Sequence, residues 1–207
     1  MKELSNNLLP VIFVLLAILL SCFSIKNQNL VKEKNIQIEK LKELDVEKQY
    51  IIENLAVISK LQYFAEGKKI DNCMLYKENK DSLHLLDLLS DKPKLVYFFS
   101  EQSCTVCSHP FLKKIVNLSE KIGKENLLIV GKFLNHRNYK SFLQDNIIEH
   151  EIYRIGCDLN LFPEYNDYAM AFLLSNNRII DKLIIVDKTN VLLSDNYIKL
   201  IEKQFLK

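Results

Sequence analysis

Apolar residues follow three successive patterns along the chain. From Leu8 to Ile25 the sequence reads LLPVIFVLLAILLSCFSI and carries no charge. Such a stretch is about the shortest that crosses a bilayer core as a helix. From 27 to 65 there is no Gly and no Pro, and Lys, Glu, Leu and Ile alternate with a helical period, which predicts one long helix. From about residue 70 onward, short apolar runs are separated by polar turns, the signature of a packed α/β unit.

The first pattern has two functional readings. Residues 1–26 are either an uncleaved membrane anchor or a lipoprotein-type signal. In the second reading, Leu19-Leu20-Ser21-Cys22 resembles a lipoprotein box, with Cys22 as the lipidated residue. Lys26, Lys32 and Lys34 follow the segment and Glu33 dilutes them, so flanking charge sets orientation only weakly.

The second pattern, residues 27–66, forms a stalk. A heptad frame places Leu30, Gln37, Leu44, Ile51, Ile58 and Ala65 at d, and Lys34, Leu41, Lys48, Leu55 and Gln62 at a. That seam suits a parallel coiled coil, hence a candidate homodimer through 27–65. A single amphipathic helix lying on its own domain fits the same pattern. Gly67 is a natural stop for this helix.

In the third pattern, Cys73–Tyr76 reads as a strand, and Ser82–Leu89 as a short helix or a strand running into one. Leu95–Ser100 is a nearly continuous apolar run, as in a central strand covered on both faces. A helix is expected from Cys104 to about Lys121, and a buried strand over Asn126–Phe133. Arg137–Asn146 reads as a helix and Glu151–Ile155 as a short extended segment. Tyr168–Ser175 and Asp181–Val186 flank the turn Asn176-Asn177-Arg178, which suggests a hairpin. Tyr197–Leu206 closes the chain as an amphipathic helix. The expected fold class is α/β: a mixed sheet flanked by helices.

Composition narrows the function. The 207 residues carry a formal net charge of +2, which gives no basic surface for nucleic acid. The five cysteines are Cys22, Cys73, Cys104, Cys107 and Cys157, too few for a disulfide scaffold and without zinc-ribbon spacing. Cys73 and Cys157 read most simply as small core or strand residues, although export would allow them to pair. His109 reads as a solvent-exposed helix residue.

Cys104-Thr105-Val106-Cys107 carries the chemistry. Two thiols spaced by two residues, between a buried strand and a helix, suit thiol–disulfide exchange, because the helix N-terminus favours a thiolate. Cys104 and Cys107 are therefore the candidate catalytic residues. The cysteines themselves carry the electrons, so no cofactor is expected.

The motif and the element order together resemble the thioredoxin-like superfamily. LVYFFS leads into CxxC at a helix start, and a second strand, a hairpin and a C-terminal helix follow. The segment LYKENKDSLHLLDLLSDKPKLVYFFS resembles the opening of membrane-tethered thiol-disulfide oxidoreductases and of the thiol-peroxidase branch. The likeness covers 70–207. It implies a thioredoxin-like domain in which Cys104 attacks a substrate disulfide and Cys107 resolves the mixed disulfide. It also implies protein thiol or disulfide substrates, an electron donor or acceptor, and a membrane-anchored protein whose C-terminal domain is exported to the cell envelope. The chain differs from the family in three places. Glu101-Gln102-Ser103 stands where a Trp is usual, no proline precedes the hairpin strand at Tyr168-Ala169, and Pro110 comes early in the active helix. A non-catalytic thioredoxin-like binding module on a coiled-coil stalk is the alternative. A peroxidase site is disfavoured, because Ser100 lies four residues before Cys104 and no arginine is close in sequence.

Overall fold

The computed structural model describes all residues except 1, 90, 104, 147, 149, 158, 160, 162–167, 187–190 and 207, and no side chains at 2–12, 105–107, 191 and 192. The chain divides into two compact units, Met1–Glu53 and Asn54–Lys207.

The described residues of the first unit lie within helix α1 (Lys2–Ala65). Every side chain from 13 to 50 is exposed, including the seam residues Leu30, Leu41 and Leu44. This helix is long and apolar enough at its N-terminal end to cross a membrane.

The second unit contains the last turns of α1, followed by β1 (Met74–Tyr76), β2 (Ser82–His84), α2 (Leu85–Leu88), β3 (Lys94–Ser100) and α3 (Thr105–Ile122). Then come β4 (Leu127–Lys132), α4 (His136–Asp145), β5 (Ile152–Ile155), β6 (Ala169–Leu174), β7 (Ile180–Val186) and α5 (Val191–Phe205). The strands form one mixed sheet in the order β2-β1-β5-β4-β3-β6-β7. β3, β4 and β5 are parallel, while β6 runs antiparallel to β3 and β7 antiparallel to β6. β1 and β2 form an antiparallel hairpin on the β5 edge.

Every residue of β3 is buried, as its unbroken apolar run predicts. Alternation sorts its side chains between two cores. Val96 and Phe98 point to one face, where Leu85 of α2 and Ile58 and Ala65 of α1 pack. Leu95, Tyr97 and Phe99 point to the other, under Phe111 and Ile115 of α3, Tyr139 of α4, and Tyr197 and Ile201 of α5.

The end of α1 is thus part of the globular core. Ile58 and Ala65 are 1% and 0% exposed. Gln62 Nε2 donates to Leu183 O at 2.8 Å, and Leu183 N–H donates to Glu66 Oε1 at 3.0 Å. These bonds satisfy β7 next to Lys182, whose φ of 50° goes with a register shift against β6. A coiled-coil seam continuous to Ala65 is therefore corrected: its last d positions are already covered by the protein's own sheet. Gly67 ends the helix as expected, at φ 79°, a conformation that costs little only without a Cβ.

A second correction concerns Cys73 and Cys157, which are joined in a disulfide with a Cα–Cα distance of 5.9 Å. The cause is strand register. β1 and β5 pair with Leu75 opposite Ile155, and continuing that antiparallel ladder by two residues brings Cys73 opposite Cys157. The bridge staples the N-terminal hairpin to the parallel strands.

Candidate functional site

The site is built where β3 ends. Its last residue, Ser100, opens a tight turn. Ser103 N–H donates to Ser100 O, Ser100 N–H donates to Ser103 Oγ, each at 3.0 Å, and Gln102 N–H donates to Ser100 Oγ at 3.2 Å. Serine side chains that take up backbone N–H groups stabilise such turns. Both serines are buried, so the backbone entering the CxxC is held in one geometry.

Cys104 lies outside the described residues, and so does the side chain of Cys107. Helix α3 begins at Thr105, one residue after Cys104, and its first turn contains Cys107. The helix continues through Pro110 to Ile122, so the proline does not shorten it. Tyr97 of β3 ties this helix to the sheet: its hydroxyl donates to Ser108 O at 3.0 Å. Burial holds the Tyr97 phenol well above the ordinary tyrosine range, opposed by the bond to Ser108.

A cavity of about 440 Å³ adjoins this turn, between α3 and α4. Phe99, Phe133 and Phe142 form an aromatic cluster in its wall, with ring centroids 5.0 Å apart for Phe99–Phe142 and 5.4 Å for Phe133–Phe142. Gly131 makes room for them. A Cβ there would stand 2.3 Å from the Phe133 ring.

Glu101 lines the same cavity. Its two carboxylate oxygens accept from Leu134 N–H at 3.1 Å and from Asn138 Nδ2 at 2.9 Å, so the carboxylate is bound to the β4–α4 connection. His109 is corrected from a solvent-exposed residue to a half-buried one in the cavity wall. Asn146 Nδ2 donates to Phe142 O at 2.9 Å, which leaves Asn146 Oδ1 to accept from His109 Nε2 at 2.6 Å. His109 thereby joins α3 to the end of α4. In the sequence, Ser100 enters only as a peroxidase hydroxyl and Ser103 only as part of the segment replacing the usual Trp, and Asn138 and Asn146 have no assigned role. Only the Ser-x-x-Ser spacing across the turn could have signalled the first two. Among the described residues, no three His, Cys, Asp or Glu side chains converge as metal ligands would.

The class follows from this topology. Three parallel strands and an antiparallel hairpin with a C-terminal helix, in one mixed sheet flanked by helices, define a thioredoxin-like α/β fold. No family model and no curated protein matches the chain. Among solved structures, it is similar to a thiol:disulfide interchange protein from Bacteroides sp., with 17% identity, TM-score 0.49, and coverage of 70% of this chain and 92% of that one. It is also similar to the thioredoxin domain of a thiol-disulfide oxidoreductase from Bacteroides vulgatus, with 13% identity, TM-score 0.49, and coverage of 68% and 98%. A thiol peroxidase from Chromobacterium violaceum matches at 12% identity, TM-score 0.47, over 67% and 87%.

Proposed function

We propose that the chain is a membrane-tethered thiol-disulfide oxidoreductase acting on protein thiols and disulfides in the cell envelope, with Cys104 the nucleophile and Cys107 the resolving thiol. The observation that carries this reading is the start of α3 at Thr105, directly after Cys104, at the end of the central strand. A helix N-terminus lowers a thiol's pKa and makes it the attacking group.

In the reductive direction, the Cys104 thiolate attacks one sulfur of a substrate disulfide. A bond forms between Cys104 and that sulfur, and the other substrate sulfur leaves as a thiolate that takes a proton. The Cys107 thiolate then attacks Cys104 and expels the second substrate thiolate. The protein dithiol becomes a disulfide, the substrate disulfide becomes a dithiol, and two electrons have moved. An external dithiol resets the protein, and the reverse sequence oxidises substrates.

The Cys73–Cys157 disulfide supports export, because such bridges persist in oxidising compartments. The apolar N-terminal part of α1 supports tethering, either as an anchor or through lipidation at Cys22. The exposed apolar positions of the first unit support self-association upstream of Leu55.

Trapping tests the reading. Cys107→Ser should accumulate mixed disulfides with client proteins through Cys104, and Cys104→Ser should accumulate none. Equal absence of adducts in both variants, with the fold intact, would identify the domain as a non-catalytic binding module instead.

A further inference from the structure

We infer that the cavity between α3 and α4 is a subsite for a cationic side chain, lysine or arginine, carried by the protein whose disulfide is exchanged. This rests on the redox reading above.

Position comes first. Ser103 and Ser108, the residues bonded to either end of 104–107, both line the cavity. Consecutive Cα atoms are about 3.8 Å apart, so the cavity lining includes the chain neighbours of Cys104 and Cys107. A volume of about 440 Å³ accommodates a long side chain.

The lining then selects its charge. Among the described residues, Glu101 and Asp145 contribute carboxylates to the lining, no Lys or Arg lines the cavity, and His109 is the one further titratable lining residue. Glu101 is engaged by Leu134 N–H and Asn138. Among the described residues the Asp145 side chain makes no ion pair or hydrogen bond, and it is exposed. It ends α4, where the helix carbonyls add partial negative charge that favours a cation. Helical spacing puts Asn138, Ser141, Phe142 and Asp145 on one stripe of α4, all lining the cavity. The helix's own cations, Arg137 and Lys140, fall off that stripe and are exposed. The three phenylalanines complete the match, since aromatic faces attract ammonium and guanidinium groups.

The test uses the reduced full-length chain in detergent and follows its reaction with three disulfides. Two are peptides differing only in an Arg or a Glu beside the cysteine, and the third is a small uncharged disulfide. The Arg peptide should react on the order of fivefold faster than the Glu peptide at low salt. The ratio should shrink toward one as salt is raised. It should fall in Asp145→Asn and invert in Asp145→Lys. If all three disulfides react but the peptides do so equally, or if Asp145→Asn keeps the full ratio, the subsite is refuted and the redox reading stands. If none of the three reacts, the redox reading fails and the subsite falls with it.

Discussion

Three hydrogen bonds within the turn Ser100–Ser103 set the approach to the cysteines, and the two serines that make them are the part of the turn that residue type can signal. A Ser at each end of a polar tetrapeptide suggests a turn. Glu101 bonds to Leu134 and Asn138, 33 and 37 residues away, and His109 to Asn146, 37 residues away, and local pattern carries no information at that distance. This is why His109 reads as exposed in sequence and is half-buried in the fold. The buried tyrosines lead to a prediction about pH. Burial, with the nearby carboxylates of Glu78 and Glu151, raises Tyr139 to about 12, and burial also raises Tyr97, Tyr153 and Tyr197. An unfolded tyrosine ionises near pH 10. The folded state therefore binds these protons more tightly. Its advantage is fully present below about pH 10 and is lost as pH rises through about 12. The urea midpoint should accordingly fall across that window, with tyrosinate absorbance of the buried set appearing only as the fold is lost. Ionisation of that set with an unchanged midpoint would contradict this.

Individual elements were readable wherever a single period dominates. β3 and β4 are apolar runs covered on both faces, and the hairpin of β6 and β7 is announced by its Asn-Asn turn. Ser82–Leu89 reads as strand or helix and is both, β2 running directly into α2. Two features stayed hidden because they depend on which distant elements pair. The Cys73–Cys157 bridge follows from the β1–β5 register across 84 residues. In the chain-entropy model, a loop of that length stabilises by about 4–5 kcal/mol. The double variant Cys73→Ser, Cys157→Ser should lose most of that in denaturant unfolding, whereas a loss below about 1 kcal/mol would show the bridge to be incidental. The second hidden feature is the docked end of α1. Its heptad positions serve equally well for a partner helix or for the protein's own sheet, so periodicity alone cannot choose. Ile58→Ala should cost about 2–5 kcal/mol by opening a core cavity. Ile52→Ala, at a site 61% exposed, should change stability by no more than about 0.5 kcal/mol. Equal effects would remove α1 from the core.

At the scale of the whole molecule, the chain joins an apolar helix, a charged helical stretch and an α/β unit that folds around the end of that same helix. The unit extends N-terminally to Asn54, so a fragment beginning near Ile70 lacks Ile58, Gln62 and Ala65 and would leave the sheet face uncovered. The account's central claim concerns Cys104 and Cys107, and the direct measurement is a thiol count on the full-length chain, in detergent, equilibrated across glutathione and dithiothreitol buffers. The chain has five cysteines, of which Cys22 is free and Cys73 and Cys157 are bridged. The account predicts that Cys104 and Cys107 convert together between dithiol and disulfide as one reversible two-electron couple, with a midpoint between roughly −120 and −270 mV, while the Cys73–Cys157 bridge stays closed. Failure of Cys104 and Cys107 to form a disulfide at any poise would contradict it.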